Sequence, residues 1–108
     1  MFTSKIRTTA SRVGAAVMFA RSAEAALAEM RKAPPSLVIL DLNNPRADPL
    51  GLVGSMKQDP ALASVPTVGY VSHVQTELIE RARRAGVTDV LARSAFTEQL
   101  ADILTRRP

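Results

Sequence analysis

Ser36-Leu37-Val38-Ile39-Leu40-Asp41-Leu42 is apolar on both faces apart from one carboxylate. A strand wetted on one side alternates apolar and polar residues. A run without that alternation predicts a strand covered on both sides, as in a parallel sheet. Asp41, near its carboxyl end, is then the residue to explain. An ionised group in such a run is costly unless it has a partner or a task.

Working outward, Pro34-Pro35 stops a helix read over Ser22 to Ala33. Ser22 is its predicted N-cap, Glu24 lies in the first turn, and Ala26, Leu27 and Met30 form the buried stripe. After Leu42, Asn43 to Pro49 reads as a loop. Asp48 caps the next helix, with Pro49 at its first position. That helix carries Leu50, Val53 and Met56 and ends near Asp59-Pro60. Pro66 opens another apolar run, Thr67-Val68-Gly69-Tyr70-Val71. Val74, Leu78, Ala82 and Ala85 follow at helical spacing, and Gly86 suits the position past the helix end. Val87 to Ala92 reads as a strand, and Phe96, Leu100, Ile103 and Leu104 as a final amphipathic helix. Strands alternating with helices predict an α/β fold around a parallel sheet.

The front of the chain breaks this rhythm. Phe2, Ile6, Ala10 and Val13 recur at helical spacing, so the chain is expected to begin with a helix; the alternative, a strand over Phe2 to Ile6, leaves too few residues for a helix before Gly14. The apolar run Val13 to Ala20, opened by Gly14, comes next.

Composition narrows the options. A length of 108 residues predicts one domain, 1–108, with a single core. Hydrophobic residues are 46% and aromatics 4%, so that core must be aliphatic. The absence of Cys removes disulfides, thiolate metal sites and a thiol nucleophile. No apolar run approaches the roughly 18 residues of a membrane span. Arg7 and Arg12 interrupt any signal-peptide core, so a cytoplasmic location is expected. The net charge of +4 is spread along the chain. The tighter groups, Arg81/Arg83/Arg84 and Arg106/Arg107, lack aromatic neighbours for stacking on bases, so nucleic acid is not the expected partner.

Sites in parallel α/β sheets form beyond the carboxyl ends of the strands. Asp41, Ser72 and Arg93 end three predicted strands and should reach one rim. A carboxylate, a hydroxyl and a cation converging there could accept, hold and neutralise a phosphoryl group.

These segments resemble the response-regulator receiver family. Leu40-Asp41-Leu42-Asn43-Asn44-Pro45-Arg46-Ala47-Asp48 is similar to its segment around the phospho-accepting Asp, with Pro four residues on and Asp seven on. Pro66-Thr67-Val68-Gly69-Tyr70-Val71-Ser72 resembles its fourth strand, ending in the switch hydroxyl. Arg84 to Arg93 resembles its fifth strand, ending where the family has Lys. The resemblance runs from about residue 13 to the end. It implies a flavodoxin-like receiver fold of two-component signalling rather than an enzyme. It also implies Asp41 as phospho-acceptor, Asp41 and the Asn43 carbonyl as magnesium ligands, and Ser72 and Arg93 as phosphoryl-binding groups. The implied partners are a sensor histidine kinase or phosphotransfer protein and a downstream protein target.

Several residues depart from that pattern. Arg93 stands for Lys and is not a neutral exchange. Ser94 stands for Pro, Pro49 for Gly, and Val90 for the aromatic switch residue. His73 follows Ser72, where the family has a small residue. The first, central strand and its acidic pair are missing, so magnesium binding is expected to be weak or absent. Truncation and a degenerate receiver both explain that loss. The chain as given should either move the second strand beside the third or form a homodimer by strand exchange.

Plainer readings exist for each residue. Asp41 could cap a turn with Asn43 and Asn44. Ser72-His73-Val74-Gln75 fits a capping box. His73, the sole His, is expected at the surface, and Arg93 could serve a salt bridge. Gly51-Leu52-Val53-Gly54 lacks the ending of a phosphate loop. Two alternatives to a phospho-switch therefore stand: an adaptor that binds protein without phosphorylation, and a small anion- or nucleotide-binding module.

Overall fold

The computed structural model describes residues 2–72 and 75–105. Helix α1 spans Phe2–Val13, and the expected stripe buries Ile6 and Ala10. Helix α2, Ala23–Lys32, starts at Ser22, whose hydroxyl accepts from the Ala25 N–H at 3.1 Å. Strand β1 is Val38–Asp41 and helix α3 is Pro49–Gln58. Asp48 caps α3 as expected, accepting from the Gly51 N–H at 3.3 Å from a left-handed backbone (φ 45°). Strand β2, Thr67–Val71, leads to helix α4, Thr76–Ala85, which ends on Gly86 at φ 106°. Strand β3, Asp89–Ala92, runs directly into helix α5, Arg93–Thr105.

The sheet has three parallel strands in the order β1-β2-β3. Strand β2 is fully buried, while β1 and β3 are mostly half-buried, as flanking strands should be. Alternation divides the side chains between two layers. Val38, Leu40, Leu42, Val71 and Val90 pack with Met30, Leu52, Val53, Met56 and Ala82 from α2, α3 and α4. Leu37, Ile39, Val68, Tyr70 and Leu91 pack with Ile6, Phe96, Leu100 and Ile103 from α1 and α5. At the amino end of the sheet, Thr67 and Thr88 clamp β2 to β3. Each N–H donates to the other's hydroxyl, at 3.0 and 2.9 Å.

Three expectations need correction. Of the two outcomes expected for the second strand, a place beside the third is not seen, and the apolar run Val13 to Ala20 pairs with no strand of the described residues. Gly14 (φ 75°) ends α1, and residues 15–20 carry no regular structure. Val17, Met18 and Phe19 are left exposed, with the Arg7 guanidinium 4.8 Å above the Phe19 ring. An apolar run becomes a strand only where a partner edge receives its backbone, and none does so here. Strand β1 consequently keeps an open side. The Val38 and Leu42 N–H groups donate toward β2, to Pro66 and Tyr70 carbonyls. Parallel ladders alternate, so Ile39 directs its backbone groups away from β2, where no strand of the described residues lies. Second, Arg93 is the first residue of α5 rather than the last of a strand. Third, Ser72 is not the cap of α4. Gln75 occupies that position, with no side-chain capping bond. His73 and Val74 lie outside the described residues.

Candidate functional site

The rim is built by register. Asp41 pairs with Tyr70 and Tyr70 with Leu91, and laterally paired residues point to one face. Asp41 therefore stands at the end of the layer shared with α1 and α5. It is half-buried. Its Oδ1 accepts from the Asn43 N–H at 3.0 Å, and its carbonyl accepts from the Asn44 N–H at 3.2 Å. This is the turn-capping role that the Asn-rich loop suggested. It fixes the carboxylate at the mouth of the sheet.

The Asn43 side chain carries the connection onward. Its Oδ1 accepts from the Ser72 N–H at 2.6 Å, and its Nδ2 donates to Gln75 Oε1 at 2.6 Å. An N–H requires an acceptor, which fixes which end of the amide faces Ser72. Arg93 Nη2 then donates to Ser72 Oγ at 3.4 Å. The contacts run in series from Asp41 through Asn43 and Ser72 to Arg93. The three residues expected at one rim are thus brought together, with Asn43 as the bridge. Ser72 and Arg93 are exposed, so an incoming anion can reach both.

Tyr70 sits directly behind this rim. It is buried, and its ring stacks on Phe96 of α5 with centroids 4.8 Å apart and planes at 29°. Burial pushes its phenol up to about 12, Asp41 adds to the rise, and Arg93 opposes it. The carboxylate and the guanidinium thus act on the neutral phenol in opposite senses.

The donor set is a poor match to a hard divalent cation, which takes several oxygen ligands. Of the ligands that the resemblance assigns, the rim has the Asp41 carboxylate and the Asn43 carbonyl, with Arg93 bound to Ser72 at the same edge. Asp48, the next carboxylate along the loop, is exposed and engaged at the start of α3. Among the described residues, no three of His, Cys, Asp and Glu gather closely enough to hold a metal.

The sequence placed Asp41, Ser72 and Arg93 at one rim, but gave Asn43 only a carbonyl ligand role and a part in the Asp41 turn, not the bridging side chain. It missed Gln75, whose role depends on α4 starting three residues later than the capping box suggested. Tyr70 read as ordinary core. Its one signal was a polar-tipped aromatic in an aliphatic strand two residues before Ser72.

A sequence model of the response regulator receiver domain matches residues 1–105. Among solved structures, 58 chains match. The receiver domain of NtrX from Brucella abortus is 27% identical with a TM-score of 0.73, over 88% of this chain and 79% of its own. The phosphorylated cyanobacterial phytochrome response regulator RcpA is 24% identical with a TM-score of 0.73, over 94% of this chain and 81% of its own. The Mn2+-bound form of response regulator Rcp1 is 18% identical with a TM-score of 0.79, over 98% of this chain and 90% of its own. The last two speak to the fold alone, which is the flavodoxin-like receiver fold. No curated protein sequence matches significantly. Among the described residues, no helix is long and apolar enough to cross a membrane.

Proposed function

The chain belongs to the response regulator receiver domain family, and on that premise we propose that Asp41 is a phosphoryl acceptor whose state sets a protein-binding face. Receiver domains are signalling modules of two-component systems that work with histidine kinases or phosphotransfer proteins. The carrying observation is the chain of contacts that ties Asp41 to Ser72 and Arg93 through Asn43. An oxygen of the Asp41 carboxylate attacks the donor phosphorus. The bond to the leaving group breaks, and that group departs with the electron pair. The new acyl phosphate is neutralised by the Arg93 guanidinium and hydrogen-bonded by the Ser72 hydroxyl. Arg93 begins α5 and Ser72 leads toward α4, so both helices feel the change at the rim. A downstream protein would read that face. In this reading residues 1–108 act as one receiver-like unit in the cytoplasm. The open side of β1 is where a second copy, or an exchanged strand, would pair.

A second reading is favoured by one observation, the mismatch between the rim and a divalent cation. In it the same face binds protein without phosphoryl transfer, as a pseudo-receiver adaptor. Intact-mass measurement after incubation with a small-molecule phosphodonor, with and without magnesium, separates the two. The first reading expects one phosphoryl adduct that Asp41→Asn abolishes. An unmodified mass under all conditions leaves the adaptor.

A further inference from the structure

Among the described buried side chains with a polar tip, Tyr70 both borders the rim and stacks on a helix of its own layer, α5. On one side it is the lateral neighbour of Asp41 in the parallel register. On the other its ring lies against Phe96, which is itself completely buried and packed with Leu100 and Ile103. Phe96 is three residues into α5, whose first residue, Arg93, returns to the rim and contacts Ser72. Tyr70 and the rim are thus joined twice, once through the sheet and once through the start of α5. Asp41 and Arg93 act on the phenol in opposite senses. Phe would keep the ring and its stack on Phe96, so the hydroxyl is the part of the side chain that the charges of Asp41 and Arg93 act on.

We propose that Tyr70 is a positioning residue that senses the charge at the Asp41 rim through its hydroxyl and passes it to α5 through its stack on Phe96. When negative charge at Asp41 is removed or enlarged, the preferred orientation of the phenol changes. The ring cannot shift without moving Phe96, because close-packed cores transmit displacement instead of absorbing it. The amino-terminal turns of α5 then respond. This inference rests on the rim described above as the functional site. It does not require that the charge there be a phosphoryl group.

The test uses the full chain and no phosphodonor. Tyr70 is the sole tyrosine and there is no Trp, so its ring-carbon resonance beside the hydroxyl is assigned without ambiguity. Asp41→Asn and Arg93→Gln should move that resonance in opposite directions at neutral pH. Asp41→Asn should also change amide exchange over residues 96–100 several-fold. In the Tyr70→Phe background, which keeps the stack and removes the hydroxyl, the same Asp41→Asn substitution should leave that exchange unchanged. A purely structural Tyr70 gives an α5 response of equal size in both backgrounds. That result, or a resonance indifferent to both charge variants, overturns the proposal. A failure of phosphoryl transfer at Asp41 would show in mass measurements and leave these outcomes untouched.

Discussion

Replacing Asn43 with Ala removes the strap that holds the Asp41 loop to the start of α4. The variant deletes the acceptor of the Ser72 N–H and the donor to Gln75, both at 2.6 Å. It leaves the backbone bond from Asn43 to Asp41 Oδ1 intact. Each neutral hydrogen bond contributes about 1 kcal/mol net. Asn43 and Gln75 are half-buried and Ser72 is exposed, so water can satisfy the orphaned partners. The full penalty for a buried unpaired group does not apply, and the expected loss is about 1–2 kcal/mol. Urea denaturation should show a lower midpoint with an unchanged slope, because the buried area is the same. Local opening at Ser72 should become easier by about 1 kcal/mol, roughly a fivefold gain in amide exchange there. Gln75→Leu alone should cost less, and the double variant should be less destabilised than the sum of the two, because they share one bond. Unchanged exchange at Ser72 in Asn43→Ala, or strict additivity with Gln75→Leu, would show that the strap is not formed in solution.

Thr88→Val should destabilise the chain by about 1–3 kcal/mol, since it strips the Thr67 N–H and the buried Thr67 hydroxyl of their shared partner; thermal denaturation against wild type measures it. Gly69→Ala should cost roughly 1–3 kcal/mol, because the new Cβ would lie 2.7 Å from Leu42 Cδ1 and 2.9 Å from its Cγ. Leu42 sits between Asp41 and Asn43, so the Asp41 and Asn43 amide resonances should shift as well, and a silent spectrum would contradict the packing described. With the Tyr70 phenol raised from 10.0 to about 12, the folded state holds its proton more tightly than the unfolded chain. That stabilisation is complete below pH 10 and is lost as pH rises toward 12. It amounts to on the order of 3 kcal/mol. Tyr70→Phe should flatten this part of the alkaline stability profile relative to wild type, and parallel profiles would refute the assignment.

Much of this architecture was legible from residues 22 to 104. Strand β1 announced itself by lacking alternation, and Pro35 and Pro66 marked where chain segments restart. Asp48-Pro49 and Gly86 set helix ends through local chemistry that does not depend on distant contacts. The misreadings share a cause. Whether residues 15–20 pair into a sheet depends on an edge elsewhere in space, and apolarity alone does not supply one. The start of α4 was misplaced because Ser72 fits two local patterns, and its N–H is claimed by Asn43 from another loop. Residue type and position near the strand ends pointed to one rim for Asp41, Ser72 and Arg93, and the structure brings the three together there. The bridging amide depends on contacts between two loops, and the place of Tyr70 behind it on strand register, neither of which a local pattern encodes.

The central claim is that Asp41 itself takes the phosphoryl group. After incubation with a phosphodonor, borohydride reduction converts an aspartyl phosphate to homoserine, and peptide sequencing locates it. The account predicts homoserine at position 41 and at no other carboxylate, with none in unphosphorylated controls. Homoserine elsewhere, or none at all under conditions that phosphorylate a known receiver, would contradict it.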